Sequence, residues 1–372
     1  MILLRFTYAA IVLVTFLFIS ACGKDNSATL PVFAEETDSA KKNSTEIGVG
    51  YFPLNPLLDS DSAATLVART ATVAYFQRHW QESLNLHGRS FVDSLRSDIA
   101  AARHRGLKIY IALETLSTYR DSINLPQGLS GDFRAAEVRK EYLRTVEEAA
   151  TAFQPDYFIL NVEANMYRAS NPEDYSAYRE LYKTAYERVK ILSPSTKVSV
   201  SLLYNDWNGR NCFDAEDLDT LTRDAREYAG FQDITAVSVY PYCYFDPDNI
   251  PIDFLERVAT VSEKALFVSE TAWPSTSFPI NDSLAFSSDP ETQARYIERL
   301  AEMSDFALGR SQAIEAVNYT ALIDPNEETC AAIEEMLPAL SYYCTLGLVD
   351  GAGNPKPAYY QMETWKQKLT AE

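Results

Sequence analysis

The stretch Phe267–Ser275, FVSETAWPS, ends a short apolar run on the carboxylate Glu270 and follows it at once with Trp273 and Pro274. Burying a charge costs free energy unless it is paired or reaches something polar, so this strand end is expected to open onto a cleft. Similar runs recur along the chain. Ile47–Phe52, Thr72–Phe76, Leu107–Leu113, Tyr157–Val162, Lys197–Leu203, Ile234–Tyr240, Ala265–Ser269 and Ala313–Tyr319 are short and rich in β-branched or aromatic residues. Longer stretches with helical spacing lie between them. Ser90–Arg105 stops before Gly106, Asp132–Phe153 and Pro172–Leu192 carry apolar stripes, and Asp289–Leu308 opens on Asp-Pro-Glu, as helix starts often do. Strand and helix therefore alternate on the roughly 30-residue scale of βα units feeding a parallel sheet. The best reading is an α/β fold, an eight-stranded (β/α)8 TIM barrel. A doubly wound open sheet comes second, weakened because no glycine-rich phosphate fingerprint follows the first strand.

The N-terminus reads differently. Residues 1–21 hold one arginine, Arg5, and an apolar run, the layout of a secretory signal peptide. Ile19-Ser-Ala-Cys22 resembles the bacterial lipobox, which implies a lipidated Cys22, and Gly23 after it favours outer-membrane sorting. Residues 22–45 are polar, small and mixed in charge, a flexible tether. The expected organisation is signal peptide 1–21, lipidated tether 22–45 and barrel 46–372. That places the protein in the bacterial cell envelope, periplasmic or at the cell surface, held to a membrane by its N-terminal lipid only.

The net charge is −19, or −20 without the signal peptide and its one arginine. Such a chain is a poor partner for nucleic acid or anionic lipid. Four cysteines remain after Cys22 and allow three pairings; in an exported protein we expect Cys212–Cys243 and Cys330–Cys344. Their spacings match no zinc pattern, and no motif implies a metal or other cofactor.

In a barrel of this type the chemistry sits at the C-terminal ends of the strands. Two glutamates fall there: Glu163 in YFILNVEAN (157–165) and Glu270. Paired carboxylates across a cleft can split glycosidic cleavage into two steps, one attacking the anomeric carbon while the other protonates the leaving oxygen and later activates water. A glutamate ending strand four and another ending strand seven in ETAWP resemble the clan of retaining glycoside hydrolases built on (β/α) barrels, with families that cleave β-galactans or β-glucans as neighbours. The resemblance implies that Glu270 is the nucleophile, Glu163 the acid/base, and Tyr240 of VSVYPY (237–242) the residue that orients the nucleophile. LGLVDGAGNPKPAY (346–359) is similar to the closing segment of such enzymes. One position departs from the pattern. The clan places asparagine directly before the acid/base, where it binds the sugar's 2-hydroxyl, and this chain has Val162. Strand alternation would put Asn161 on the face of Glu163, and Asn165 lies beyond the strand.

Sugar rings stack on aromatic faces and need polar partners at their edges. Trp273, Trp207, Trp80 and Tyr319 follow expected strands and are candidate platforms, with Asn205, Asp206 and Asn161 as hydroxyl partners. Arg78 and His79 end the second run, and Arg78 is a candidate neighbour of the nucleophile. Glu114 in IALET is a third strand-end carboxylate and a rival for either role. Trp365 is expected in the core. The function expected is a lipid-anchored glycosidase acting on a neutral poly- or oligosaccharide. The alternatives are a non-catalytic glycan-binding lipoprotein that keeps the cleft, and a structural protein with no sugar site.

Overall fold

The computed structural model describes residues 45–371 apart from 52–54, 56–57, 86–87, 205–214, 242–243, 245, 282–283, 311 and 337. The expected signal peptide, Cys22 and most of the tether lie outside the described residues. In chain order the elements are β1 (Glu46–Gly50), α1 (Ser60–Thr70), β2 (Val73–His79), α2 (Arg96–His104), β3 (Lys108–Glu114), α3 (Ala136–Phe153), β4 (Tyr157–Ile159), α4 (Ala164–Ser170), α5 (Pro172–Leu192), β5 (Lys197–Ser199) and β6 (Ser201–Tyr204). They continue as α6 (Ala215–Tyr228), β7 (Thr235–Val239), α7 (Phe254–Ala259), β8 (Leu266–Thr271), β9 (Phe278–Asn281), β10 (Leu284–Phe286), α8 (Pro290–Gly309), β11 (Ile314–Tyr319), α9 (Glu327–Met336) and α10 (Pro357–Ala371).

Nine strands pair in parallel in the order β5-β4-β3-β2-β1-β11-β8-β7-β6. The two ends of this list are halves of one strand interrupted at Val200: Lys197–Ser199 pairs with β4, and Ser201–Tyr204 pairs with β7. Joining them closes eight strands into a (β/α)8 TIM barrel, with helices packed outside. Hydrophobic periodicity merged the halves because Val200 continues the apolar run, although it leaves the ladder.

The barrel interior is filled by a separate cluster that includes Tyr75, Tyr110, Tyr157, Val162 and Phe267. Tyr75 stacks on Tyr110 with ring centroids 4.1 Å apart, and Phe267 meets Tyr110 edge-on at 4.9 Å. Aromatic rings thus form the floor beneath the strand C-termini. The larger core lies between strands and helices. Asp59 caps α1 by accepting from Ser62 N at 2.7 Å, and Asp289 caps α8 by accepting from Thr292 N at 2.7 Å. No helix among the described residues is long and apolar enough to cross a membrane.

Candidate active site

A local irregularity aims Glu270. Side chains alternate along a strand, so Phe267 and Glu270, three residues apart, should face opposite ways. Yet Phe267 lies in the barrel interior and Glu270 reaches Tyr75 of the same interior. The register explains it: Val237 pairs with Val268, but the next residue, Ser238, pairs with Glu270, so β8 carries one extra residue there. Such a bulge re-aims the following side chain. Both oxygens of Glu270 are then held by tyrosines: Tyr75 Oη donates to Oε1 at 2.7 Å and Tyr240 Oη to Oε2 at 2.7 Å.

Glu163 follows β4, which ends at Ile159. It adopts a left-handed backbone, φ 51°, and its N–H donates to Ser201 Oγ at 2.8 Å. Its Oε2 accepts from Arg120 Nε at 3.1 Å. Oε1 makes no hydrogen bond among the described residues, and the side chain is 11% exposed. Arg120, in the loop after β3, also holds Glu114 through Nη1 and donates to Ser117 O at 3.1 Å. Glu114 in turn accepts from Gln77 Nε2 at 2.5 Å, and Gln77 Oε1 touches the Tyr75 hydroxyl. A continuous polar chain therefore runs from Glu270 through Tyr75, Gln77, Glu114 and Arg120 to Glu163.

Burial, and next the charge of Glu163, push the Glu270 carboxyl up to about 7, against the lowering by the Tyr240 and Tyr75 hydrogen bonds and by Arg120. Both Glu270 oxygens accept from tyrosine hydroxyls, which favours the anion, while burial and the neighbouring carboxylate hold its carboxyl near neutrality. Burial works against the Glu114 charge, but Arg120, His79 and Gln77 outweigh it and hold that carboxyl below its usual range. Desolvation likewise opposes the Arg120 charge, and the carboxylates of Glu114, Glu163 and Glu270 overcome it and raise its pKa well above the ordinary value.

A cavity of about 220 Å³ opens over Glu270, Glu114 and Arg120, walled by these and by Gln77, His79, Thr118, Thr320, Ile333, Leu340 and Tyr343; Glu163, held by Arg120, is not among the wall residues. Tyr343, 37% exposed, stacks on Tyr342 with centroids 4.7 Å apart. The 3₁₀ turn that carries it, Pro338–Thr345, is tied to α9 by the Cys330–Cys344 disulfide, Cα–Cα 5.6 Å.

Several expected contacts lie elsewhere. Trp273 is 0% exposed, between Phe286 and Tyr296, with its indole N–H donating to Ser288 Oγ at 3.2 Å. Trp80, 2% exposed, packs on α3 through Tyr142 and donates to Thr145 Oγ1. Tyr319 is buried and donates to the carbonyls of Trp273 and Leu346. These three rings are core rather than sugar platforms: Trp80 and Trp273 turn outward beneath the helices after their strands end, and Tyr319, the last residue of β11, faces the same layer. Asn161 is 1% exposed, and its Oδ1 accepts from Thr115 and from Val162 N. Strand alternation does not extend to Asn161 because the ladder stops at Ile159. Asn165 exchanges both amide hydrogen bonds with the Leu203 backbone. Arg78 pairs with Asp98 at 2.6 Å and donates to the carbonyls of Tyr51 and Gln77, so its hydrogen bonds go elsewhere than to Glu270, while Trp365 is buried as expected. Trp207, Asn205, Asp206 and the Cys212–Cys243 pair lie outside the described residues.

Sequence reasoning missed Arg120, Gln77, Tyr75 and Tyr343 as site residues. Tyr75 and Gln77 had a signal, since both share the inward face of β2 with His79. Arg120 and Tyr343 sit in loops, where no periodicity points inward.

No family model matches the chain, and no curated protein matches it. Solved structures do. A GH5_18 protein variant from Streptomyces cattleya in complex with Manb1-4GlcNAc superposes with a TM-score of 0.63 at 14% identity, covering 88% of this chain and 82% of that one. The beta-glycosidase BGL167 gives 0.59 at 13% identity, covering 83% and 86%. A family 39 glycoside hydrolase from Bacteroides cellulosilyticus gives 0.55 at 16% identity, covering 87% and 64%. At these identities the shared property is the barrel fold.

Proposed function

We propose that the protein is a retaining β-glycosidase in which Glu270 attacks the anomeric carbon, Glu163 acts as acid/base and Tyr240 orients the nucleophile. The observation that carries the reading is the asymmetric pair itself. One carboxylate is locked by two hydroxyl donors, while the other, 11% exposed, is held through one oxygen by Arg120, both towards the C-terminal mouth of the barrel. In the first step Glu270 bonds to the anomeric carbon as the proton of Glu163 passes to the departing oxygen. In the second, Glu163 takes a proton from water, which displaces Glu270 and returns the sugar with its original configuration.

Glu114 and Glu270 on the cavity wall, with Glu163 bonded to Arg120 beside them, outnumber that one guanidinium, which suits a neutral glycan. The glycoside hydrolase neighbours, one of them holding a mannosyl-GlcNAc disaccharide, make β-linked hexosides the first class to try. At about 220 Å³ the cavity is smaller than the roughly 300–1,000 Å³ of typical ligand pockets, so only part of an oligosaccharide would be enclosed. The N-terminal pattern supports anchoring through Cys22 in the cell envelope.

One observation favours binding without cleavage. Arg120 pairs with Glu163, and an ion-paired carboxylate is a poor proton donor. A panel of β-linked oligosaccharides and aryl β-glycosides separates the two readings. A retaining glycosidase releases the β-anomer first, seen by proton NMR, and Glu270→Gln abolishes release while keeping ligand binding. Binding by the wild type with no release from any glycan selects the non-catalytic reading.

A further inference from the structure

The resemblance implies an asparagine directly before Glu163 that would hold the sugar hydroxyl beside the anomeric carbon, and this chain has Val162 there. Val162 is packed into the barrel interior. Asn165 spends its amide on Leu203, and Asn161 is 1% exposed with its Oδ1 committed. Arg120 differs from all three. Its side chain is 11% exposed on the cavity wall, and its Nη2 has no partner among the described residues. The planar guanidinium fixes Nη2 beside the Nε that holds Glu163. Its backbone, φ 58°, lies in the left-handed region that non-glycine residues seldom occupy.

Resting on the glycosidase reading, we propose that Arg120 is a substrate-binding and positioning residue: Nη2 donates to the 2-hydroxyl of the sugar ring seated against Glu270, while Nε fixes the acid/base. The ligand atom is a neutral hydroxyl oxygen and not an anionic group. Arg120 already faces Glu114, Glu163 and Glu270, and a further negative charge would add to a local excess of carboxylate. A hydroxyl adds no charge and accepts the remaining N–H.

The test compares aryl β-glucoside and aryl β-mannoside with their common 2-deoxy counterpart, in the wild type, Arg120→Gln and Arg120→Lys. Both substrate types lose whatever the Glu163 contact contributes, so the ratio of kcat/KM for 2-hydroxy over 2-deoxy glycoside isolates Nη2. A hydrogen bond from a charged donor is worth about 1.5–3 kcal/mol, so the ratio is expected to fall roughly 10–100-fold in Arg120→Gln. Arg120→Lys, which keeps the charge and loses the fork, should fall in the same direction and covers the case in which the glutamine variant does not fold. An unchanged ratio with both substrates slowed equally overturns the proposal and leaves the glycosidase reading standing. If the wild type cleaves neither, calorimetric titration with methyl β-mannoside and its 2-deoxy analogue makes the same comparison. Selective loss of 2-hydroxy binding in the variants then supports Arg120 and removes only catalysis, whereas absence of any binding overturns both.

Discussion

Arg120 and Glu163 form an ion pair, Nε to Oε2 3.1 Å, in which both residues have a left-handed backbone, φ 58° and 51°. Among the described residues one other non-glycine position shares that conformation, Gln154, and it merely caps α3. A non-glycine residue held there costs on the order of 1–3 kcal/mol, and such positions cluster at functional sites. Two strained residues bonded to each other at the mouth of a barrel therefore point to a geometry held for chemistry. Replacing Glu163 by alanine should slow hydrolysis of glycosides with poor leaving groups by about 10²–10⁴-fold. The first step on a dinitrophenyl glycoside, which leaves without a proton, should be nearly unaffected when followed by its burst of phenolate.

The raised carboxyl of Glu270 sets the pH profile. Glu270 is protonated below about pH 7 and ionised above. The value of kcat/KM should accordingly fall on the acid side of about pH 7, because attack on the anomeric carbon needs the carboxylate. Tyr240→Phe removes a donor that stabilises the Glu270 anion, so its carboxyl rises further. The acid limb should move to higher pH in pH–rate profiles of the variant, while the maximal rate drops because the nucleophile has lost one of its two anchors.

Stability should carry the same signature with a definite sign. A carboxyl whose folded pKa is raised contributes stability that is complete below its unfolded value, near 4.5, and lost as pH rises through about 7. Glu270→Gln removes that loss. The variant should be more stable than the wild type at pH 8, by at most about 3 kcal/mol, with the difference vanishing near pH 4.5. Urea unfolding at the two pH values measures it; equal midpoints at pH 8 would show that burying Glu270 costs nothing.

Gly48 on β1 has no room for a side chain. A Cβ there would sit 1.8 Å from Oδ1 of the buried Asn318, whose Nδ2 donates to Val268 O at 2.7 Å next to the β8 bulge. Gly48→Ala should destabilise the fold by about 1–3 kcal/mol through overpacking, measured as a lowered Tm. The displaced Asn318 would also loosen the segment that aims Glu270, so kcat should fall at temperatures where the variant is still folded.

Reducing the Cys330–Cys344 disulfide frees the turn that carries Leu340 and Tyr343 over the cavity. A cross-link over a loop of this size stabilises by roughly 3 kcal/mol. Cys330→Ser with Cys344→Ser is expected to raise KM more than it lowers kcat, because the wall and not the carboxylate pair is loosened.

What the sequence revealed follows from which forces are periodic. The barrel was legible because eight apolar runs alternate with amphipathic helices, and the nearness of Tyr240 to Glu270 was legible because both lie at strand ends with motif residues around them, whereas Glu163 lies past Ile159, where β4 ends. The aromatic platforms were misplaced: Trp273 and Trp80 follow strands and Tyr319 ends one, yet each faces the layer between strands and helices, and periodicity carries no information on the direction a chain takes as it leaves a strand. Alternation also failed at two points where the backbone leaves the ladder, at the β8 bulge and after Ile159. Arg120 was invisible for a different reason. It reaches Glu163 across 43 residues of chain through a loop whose path only the folded barrel defines.

The most direct test of the account is covalent trapping. Wild-type protein incubated with dinitrophenyl 2-deoxy-2-fluoro-β-glucoside and the matching mannoside should gain the mass of one fluorosugar, and peptide mapping should place it on Glu270 in FVSETAWPS. An adduct on Glu114 or Glu163, or hydrolysis of glycosides with inverted configuration and no adduct, would contradict the assignment of Glu270 as nucleophile.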